Sequence, residues 1–406
     1  MTQEIAYPAL YLKRNEDARL RAGHLWVFSN EVDVKRSPLT EFEPGEICVI
    51  VDAHDKPLGL GYVNPNSLIA ARLVNRGTAH ALDRSLLVHK INVALSLRER
   101  LYAEPYYRVV FGEADGLPGL TVDRFGDVLV AQTTTAGMER LKDDIAAALV
   151  KVLKPAALVW KNDAGSRAME QLPEYADIGY GELTAPVLVR EGGLEFEIDP
   201  IGGQKTGWFY DQRANRDLLA PVHGKSLVRD ARVLDVFSYL GGWGLRAAAA
   251  GAREVVCVDA SAAAVEAIGR NATRNGLSER VSAVKADAFD HLKALRDARE
   301  RFDVVILDPP AFVKRKKDFV EGRLAYRRIA EMGMQILARD GILITCSCSY
   351  HMPRAALLDA VQQGARHLDR SVQVLAQLQQ APDHPVHPAI PETDYLKGFI
   401  CRVLPA

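Results

Sequence analysis

The sequence predicts an α/β protein whose C-terminal half is a doubly wound, mostly parallel sheet. A β-rich module and a small α+β segment precede it. Three observations carry this. From about Leu194 onward, short apolar runs alternate with helical patterns, the signature of an open parallel sheet. Near the N-terminus, "GEICVIVDAHDKPLGLGYVNPNSLIAARLV" alternates at the strand period, with turn punctuation at 54–57 and 64–67. The 406 residues exceed what one ordinary core organises, so two or three domains are expected.

The expected boundaries are 1–76, 77–192 and 193–406. In the first segment, several short strands and little helix suggest a small barrel-like module. Before them, "RLRAGHLWVFSNEV" sets Arg19, Arg21 and His24 beside Trp26 and Phe28. Such interleaving suits phosphate contact with base stacking. Trp26 and Phe28, two apart, could equally point into the module's core. The second segment reads as a helix over 81–100, strands and turns through "GEADGLPGLTVDRFGDVLVAQTTT", a helix over 138–153 and a strand at 157–160. Its glycines suit tight turns. The third offers strands at 233–237, 254–258, 281–285, 304–307, 342–345, 372–375 and 399–403. Helices are expected at 261–275, closed by Gly276, at 323–337, and after Pro353.

Net charge is −1, so nucleic-acid binding would come from local patches. No apolar run reaches membrane-spanning length, and the N-terminal stretch lacks the apolar core of a signal peptide. Five scattered cysteines fit reduced thiols in a cytoplasmic protein better than a disulfide framework.

"VLDVFSYLGGWGLRAAAA" is a strand, a Gly-rich turn and a helix, with Gly242, Gly244 and Ala247 at G-x-G-x-x-A spacing. Gly241 and Gly242 allow close backbone approach to a ligand. The next strand ends in Asp259, placed to accept hydrogen bonds from ribose hydroxyls. That describes an adenosine pocket and leaves a nicotinamide dinucleotide and S-adenosylmethionine both open. Asp287, ending the third strand, could meet an adenine amino group. Asp308, followed by two prolines, forms a stiff turn that can hold a carboxylate against a planar base.

The motifs "LDVFSYLGGWG", "DAS", "ADAF", "LDPPAF", "GILITCSCSYHM" and the tail "APDHPVHPAIPETDYLKGFICRV" resemble the bacterial 23S rRNA (cytosine-5)-methyltransferase I family. "LRAGHLWVFSNEV", "EADGLPGLTVDRFGD" and "GGQKTGWFYDQRANR" extend the resemblance over nearly the whole chain. It implies a PUA RNA-binding domain joined to a class I methyltransferase domain, S-adenosylmethionine as methyl donor, and a cytosine of 23S ribosomal RNA, free or in a large-subunit assembly intermediate, as acceptor. A homodimer is compatible with it. It implies a cofactor pocket of Asp235, Phe237, Ser238, Gly241, Gly242, Asp259, Ala260, Asp287, Ala288 and Asp308, with Phe209, Asp211 and Gln212 lining it from a lid. From the residues alone, that last segment reads only as an aromatic-polar loop.

Cytosine C5 is a poor nucleophile, and a thiolate adding at C6 makes it enamine-like. Cys348 lies just past the fifth strand, beside the Asp308 turn in the expected sheet order. The family pattern carries one cysteine, matching Ser347–Cys348–Ser349, so Cys348 is the expected nucleophile and Asp308 its partner on the N3 side. Cys346 is expected to be strand filler. No metal is expected, since Cys346, Cys348 and His351 lack a fourth ligand. Many other RNA cytosine-5 methyltransferases carry a second cysteine where Ala311 stands, so the base and release group stay unassigned. The run Lys314, Arg315, Lys316, Lys317 flanks the proposed base pocket and is expected, with Arg21, His24 and Trp26, to contact RNA. Three other readings are weighed: methylation of a base nitrogen, which needs no thiolate; a nicotinamide-dependent oxidoreductase; and an RNA-binding module with a vestigial enzyme domain.

Overall fold

The computed structural model describes residues 7–406. Residues 1–6, part of the first expected domain, lie outside the described residues. The chain divides into two compact units, each assembled from three stretches. The first takes Met1–Val189, Ile198–Tyr210 and Asp383–Thr393; the second takes Arg190–Glu197, Asp211–Pro382 and Asp394–Ala406.

The first unit holds two five-stranded sheets. One contains, in order, Ala9–Tyr11, Glu46–Val51, Pro57–Val63, Ala71–Asn75 and Trp26–Val27. Leu25 and Val27 are the residues that turn into its core of Leu10, Val32, Cys48, Ile50 and Leu73. Trp26 is only partly buried, its indole donating to Glu113 Oε1 at 3.0 Å, and the Arg19 guanidinium lies 4.8 Å from the Phe28 ring. Trp26 thus packs partly against that core while its indole nitrogen is spent on Glu113. The second sheet runs Tyr175–Gly181, Ala157–Asn162, Val128–Thr133, Leu120–Phe125 and Tyr106–Phe111. The helix expected over 138–153 is two pieces, Ala136–Arg140 and Lys142–Leu153, meeting at Leu141.

The second unit is the doubly wound sheet. Its strands are β1 (Arg232–Val236), β2 (Glu254–Asp259), β3 (Val281–Lys285), β4 (Phe302–Leu307), β5 (Leu337–Ser347), β6 (Arg370–Gln379) and β7 (Lys397–Pro405). Their order is β3-β2-β1-β4-β5-β7-β6, with β1 to β5 parallel and β7 antiparallel to both neighbours. Helices α1 (Gly242–Ala249), α2 (Ala262–Arg274), α3 (Ala288–Asp297), α4 (Phe319–Gln335) and α5 (Arg354–His367) connect them. Val233, Leu234, Val305, Ile306, Leu307, Leu343 and Ile344 are fully buried. Both faces of a parallel sheet are covered, which is why the middles of these strands are largely apolar, with Asp235 of β1 a buried exception. Ser261 caps α2 by accepting from Ala264 N, and Gly276 ends it at φ +67°. The sequence order reverses between β1 and β4, so the ligand crevice opens beyond their carboxyl ends.

Candidate active site

The turn after β1 is held in a costly backbone shape. Phe237 (φ +66°), Tyr239 (φ +51°) and Gly241 (φ +82°) all occupy the left-handed region, two of them with side chains. Hydrogen bonds over-determine it: Ser238 Oγ donates to Asp235 O at 2.6 Å and accepts from Val258 N at 2.9 Å. Asp259 Oδ2 accepts from Tyr239 N at 2.9 Å and its Oδ1 from Ser261 N at 2.9 Å. Beneath the turn, Asp235 is fully buried and its Oδ2 accepts from Gly244 N at 2.9 Å. Gly244 has no room for a side chain, since a Cβ there would lie 2.4 Å from Cys257 Sγ.

These residues fit an S-adenosyl ligand. Asp235 Oδ1 is buried without a hydrogen-bond partner, and both Asp259 oxygens keep a lone pair after their backbone bonds. Burial pushes the Asp235 carboxyl up to about 7, with Asp308 and Asp259 adding to the rise. Ala260 is exposed at the end of β2. Asp287 is exposed as well, but its Oδ1 caps α3, accepting from Phe289 N at 2.9 Å and Asp290 N at 3.1 Å, with Ala288 buried behind it. Sequence reading missed α3 altogether.

Asp308 follows β4, and its backbone N–H donates to Val236 O at 3.4 Å, joining it to the turn after β1. Its Oδ2 accepts from Gln212 Nε2 at 2.9 Å and Trp243 Nε1 at 3.1 Å. Both donors fall on one oxygen, and no hydrogen bond engages Oδ1 among the described residues. Burial pushes this carboxyl up to about 6, the two donors opposing it. Gln212 is itself held: its Oε1 accepts from Asn215 Nδ2 at 2.6 Å. Its neighbour Asp211 is buried, and Asp211 Oδ2 accepts from the Tyr395 hydroxyl at 2.5 Å. Trp243, Asn215 and Tyr395 were not expected here; Trp243 stands inside the quoted Gly-rich turn, where an indole donor was the signal to use. Phe209 packs with the first unit, the Lys205 ammonium 4.6 Å from its ring.

The cysteines separate clearly. Cys346 lies inside β5 opposite Gly398, is fully buried, and its thiol is pushed well above the ordinary value by burial and by Asp308. Cys348 is just past the strand and partly exposed. Its neighbours pin it. Ser347 Oγ donates to Tyr326 OH at 2.8 Å, Tyr326 OH and Ser349 Oγ are 2.9 Å apart, and Ser349 Oγ accepts from Val313 N at 3.1 Å. Tyr326 is 1% exposed and belongs to the core. The register pairs Leu307 with Thr345, which sets the two strands carrying Asp308 and Cys348 side by side.

Lys314, Arg315, Lys316 and Lys317 are all exposed, and Arg315 pairs with Asp318 at 3.0 Å. In the first unit, Arg21 pairs with Asp52 at 2.7 Å. His24 Nδ1 accepts from Trp26 N at 3.0 Å, and burial with nearby Arg19 pushes its imidazole pKa down. Among the described residues, no three His, Cys, Asp or Glu side chains gather around a metal position, and no helix is long and apolar enough to cross a membrane.

Two family descriptions match this chain: a PUA-like domain over residues 10–76 and an S-adenosylmethionine-dependent methyltransferase over 173–398. Ribosomal RNA large subunit methyltransferase I of Aliivibrio fischeri (strain MJ11) is 35% identical over 401 residues, 98% of this chain and 99% of that protein. The protein of that name from Shewanella denitrificans is 37% identical over 399 residues, covering 97% and 98%. Among solved structures, SMU.776 complexed with SAH superposes with a TM-score of 0.82 at 21% identity, over 97% of this chain and all of that one, a likeness of fold. The chain thus belongs to the ribosomal RNA large subunit methyltransferase I family, joining a PUA-like domain to a class I methyltransferase fold, with S-adenosylmethionine as its cofactor.

Proposed function

We propose that this protein methylates C5 of a cytosine in large-subunit ribosomal RNA through a covalent Cys348 adduct. One observation carries the reading: Cys348 is the one cysteine of five that is not buried, and it follows the end of β5, the strand beside the one that runs into Asp308. The Cys348 thiolate contributes an electron pair to an Sγ–C6 bond, and the C5=C6 pair shifts to C5. Asp308, whose carboxyl lies near 6, can share a proton with N3 through its unengaged Oδ1 as charge builds on the ring. Bound S-adenosylmethionine supplies the electrophilic methyl group that C5 accepts. Transfer of the C5 proton to a water molecule acting as base then restores C5=C6 and expels the Cys348 thiolate. Cys346, buried and protonated, takes no part.

The relatives' names supply the RNA class. RNA phosphates would meet Lys314, Arg315, Lys316 and Lys317, with Arg21, His24 and Trp26 contacting RNA from the PUA-like domain. Such an enzyme would work in the cytoplasm, on ribosomal RNA or a large-subunit precursor particle.

The test uses ribosomal RNA carrying 5-fluorocytidine, S-adenosylmethionine and a denaturing gel. Fluorine at C5 blocks the final proton loss, so a covalent enzyme stays on its RNA. A shifted band present in wild type and Cys346→Ala but absent in Cys348→Ala is expected. Its absence in wild type, on RNA that the enzyme demonstrably methylates, would point to a base nitrogen instead.

A further inference from the structure

Lys397 opens β7, directly opposite Ser347 in the antiparallel register, and is 5% exposed. Buried lysines are rare, because an ammonium taken out of water needs an opposite charge or several acceptors. This one has little of either. Its Nζ donates to the Ser349 backbone carbonyl at 2.8 Å, and no carboxylate lies within ion-pair reach of it among the described residues. One donor is spent on the residue after Cys348, while the strand pairing fixes the residue before it. The ammonium thus spans the Cys348 segment with two N–H groups unspent.

We propose that Lys397 is a positioning residue that holds Cys348 as its thiolate counter-ion, ready for attack before RNA arrives. A thiolate there turns an unfavourable buried charge into a compensated pair. A filler role would be met more cheaply by an apolar side chain of similar length. Titratable groups facing the ammonium are few. Cys348 comes from the end of β5, Arg354 from the start of α5, and Asp394 from the segment before β7. Burial is the largest influence and pushes the ammonium down to about 8; Asp394 and Cys348 pull it back up, and Arg354 opposes them. Tyr326 and Cys346 also face Cys348, neither of them a cation.

The inference rests on Cys348 being the nucleophile, yet its test needs neither RNA nor turnover. The full-length protein is alkylated with iodoacetamide across a pH series, and modification at Cys348 is followed by peptide mass spectrometry. In wild type the rate should reach half its plateau well below the ordinary thiol value of about 8.5. Lys397→Met should move that midpoint up by roughly one unit or more, and Lys397→Arg should restore most of the shift. S-adenosylmethionine binding by calorimetry reports whether the variants are folded. A purely structural lysine would change stability and leave the midpoint alone. An ordinary midpoint in wild type overturns the proposal without any variant, and so does an unmoved midpoint in a folded Lys397→Met. A low, lysine-dependent midpoint without an adduct on 5-fluorocytidine RNA would keep this inference and sink the cytosine reading.

Discussion

Replacing Tyr326 with phenylalanine removes one oxygen from the support of Cys348. That oxygen accepts from Ser347 Oγ at 2.8 Å and bonds Ser349 Oγ at 2.9 Å, both in buried surroundings. Each bond contributes about 1 kcal/mol net. For the Ser347 bond the loss is instead about 1–3 kcal/mol, because its hydroxyl is left as a buried donor without an acceptor. The expected loss is therefore roughly 2–4 kcal/mol, with no cavity, because the ring still packs 4.9 Å from Phe312 between centroids. Urea denaturation followed by circular dichroism should show a lower midpoint at an unchanged slope. Adduct formation on 5-fluorocytidine RNA should slow by roughly tenfold or more, since small misplacements of a reacting group are costly. Affinity for S-adenosylmethionine should hold. A loss below about 0.5 kcal/mol with an unchanged adduct rate would refute the argument that the serine–tyrosine network positions the nucleophile.

Three further outcomes are expected. Gly244→Ala should cost about 1–3 kcal/mol and weaken S-adenosylmethionine binding by calorimetry, because its Cβ meets Cys257 Sγ at 2.4 Å; adding Cys257→Ala should restore most of both. In the first unit, Arg98 is fully buried and bidentate to Asp115, both contacts at 2.7 Å. Arg98→Met strands that carboxylate at a cost of about 3–5 kcal/mol, read as faster hydrogen exchange across residues 84–101, and Asp115→Leu beside it should recover part. The Asp235 carboxyl, raised to about 7, stabilises the fold below its unfolded value of 3.8 and loses that contribution as pH rises through 7. Wild-type melting temperature should therefore fall relative to Asp235→Asn between about pH 4 and 7 and run parallel to it above about 8.

The parallel sheet was legible because burial on both faces writes β2 and β4 as apolar runs and leaves β1 broken only at Asp235, and the order reversal then locates the crevice. Strand ends were legible for the same reason: a carboxylate or thiol just past such a run, as at Asp308 or Cys348, has nowhere to go but the crevice mouth. What was not legible depends on partners far along the chain. Nothing near Asp308 announces that Gln212 and Trp243 would both donate to one oxygen. Nothing near Asp211 points to Tyr395, which is 184 positions away. Helix α3 escaped notice because its exposed face is nearly all charged, and only Ala288 and Leu292 are buried. Nothing near Tyr326 in the sequence announces that Ser347 and Ser349 share its hydroxyl.

The three-stretch composition of the first unit constrains how the molecule is made. Arg98 donates to the Asp383 carbonyl at 2.8 Å, a contact spanning 285 positions, and Asp383 Oδ2 accepts from Arg108 N at 3.0 Å. A ribosome adding about 5–20 residues per second needs roughly 15–60 s to travel from Arg98 to Asp383. Through that interval the nascent chain holds a guanidinium that belongs in the interior without its last acceptor, and strands β1 to β6 of the doubly wound sheet must emerge first. Neither unit is a contiguous cassette. Cutting the gene at any one codon to isolate the N-terminal half would discard residues 383–393 and leave that half unfinished.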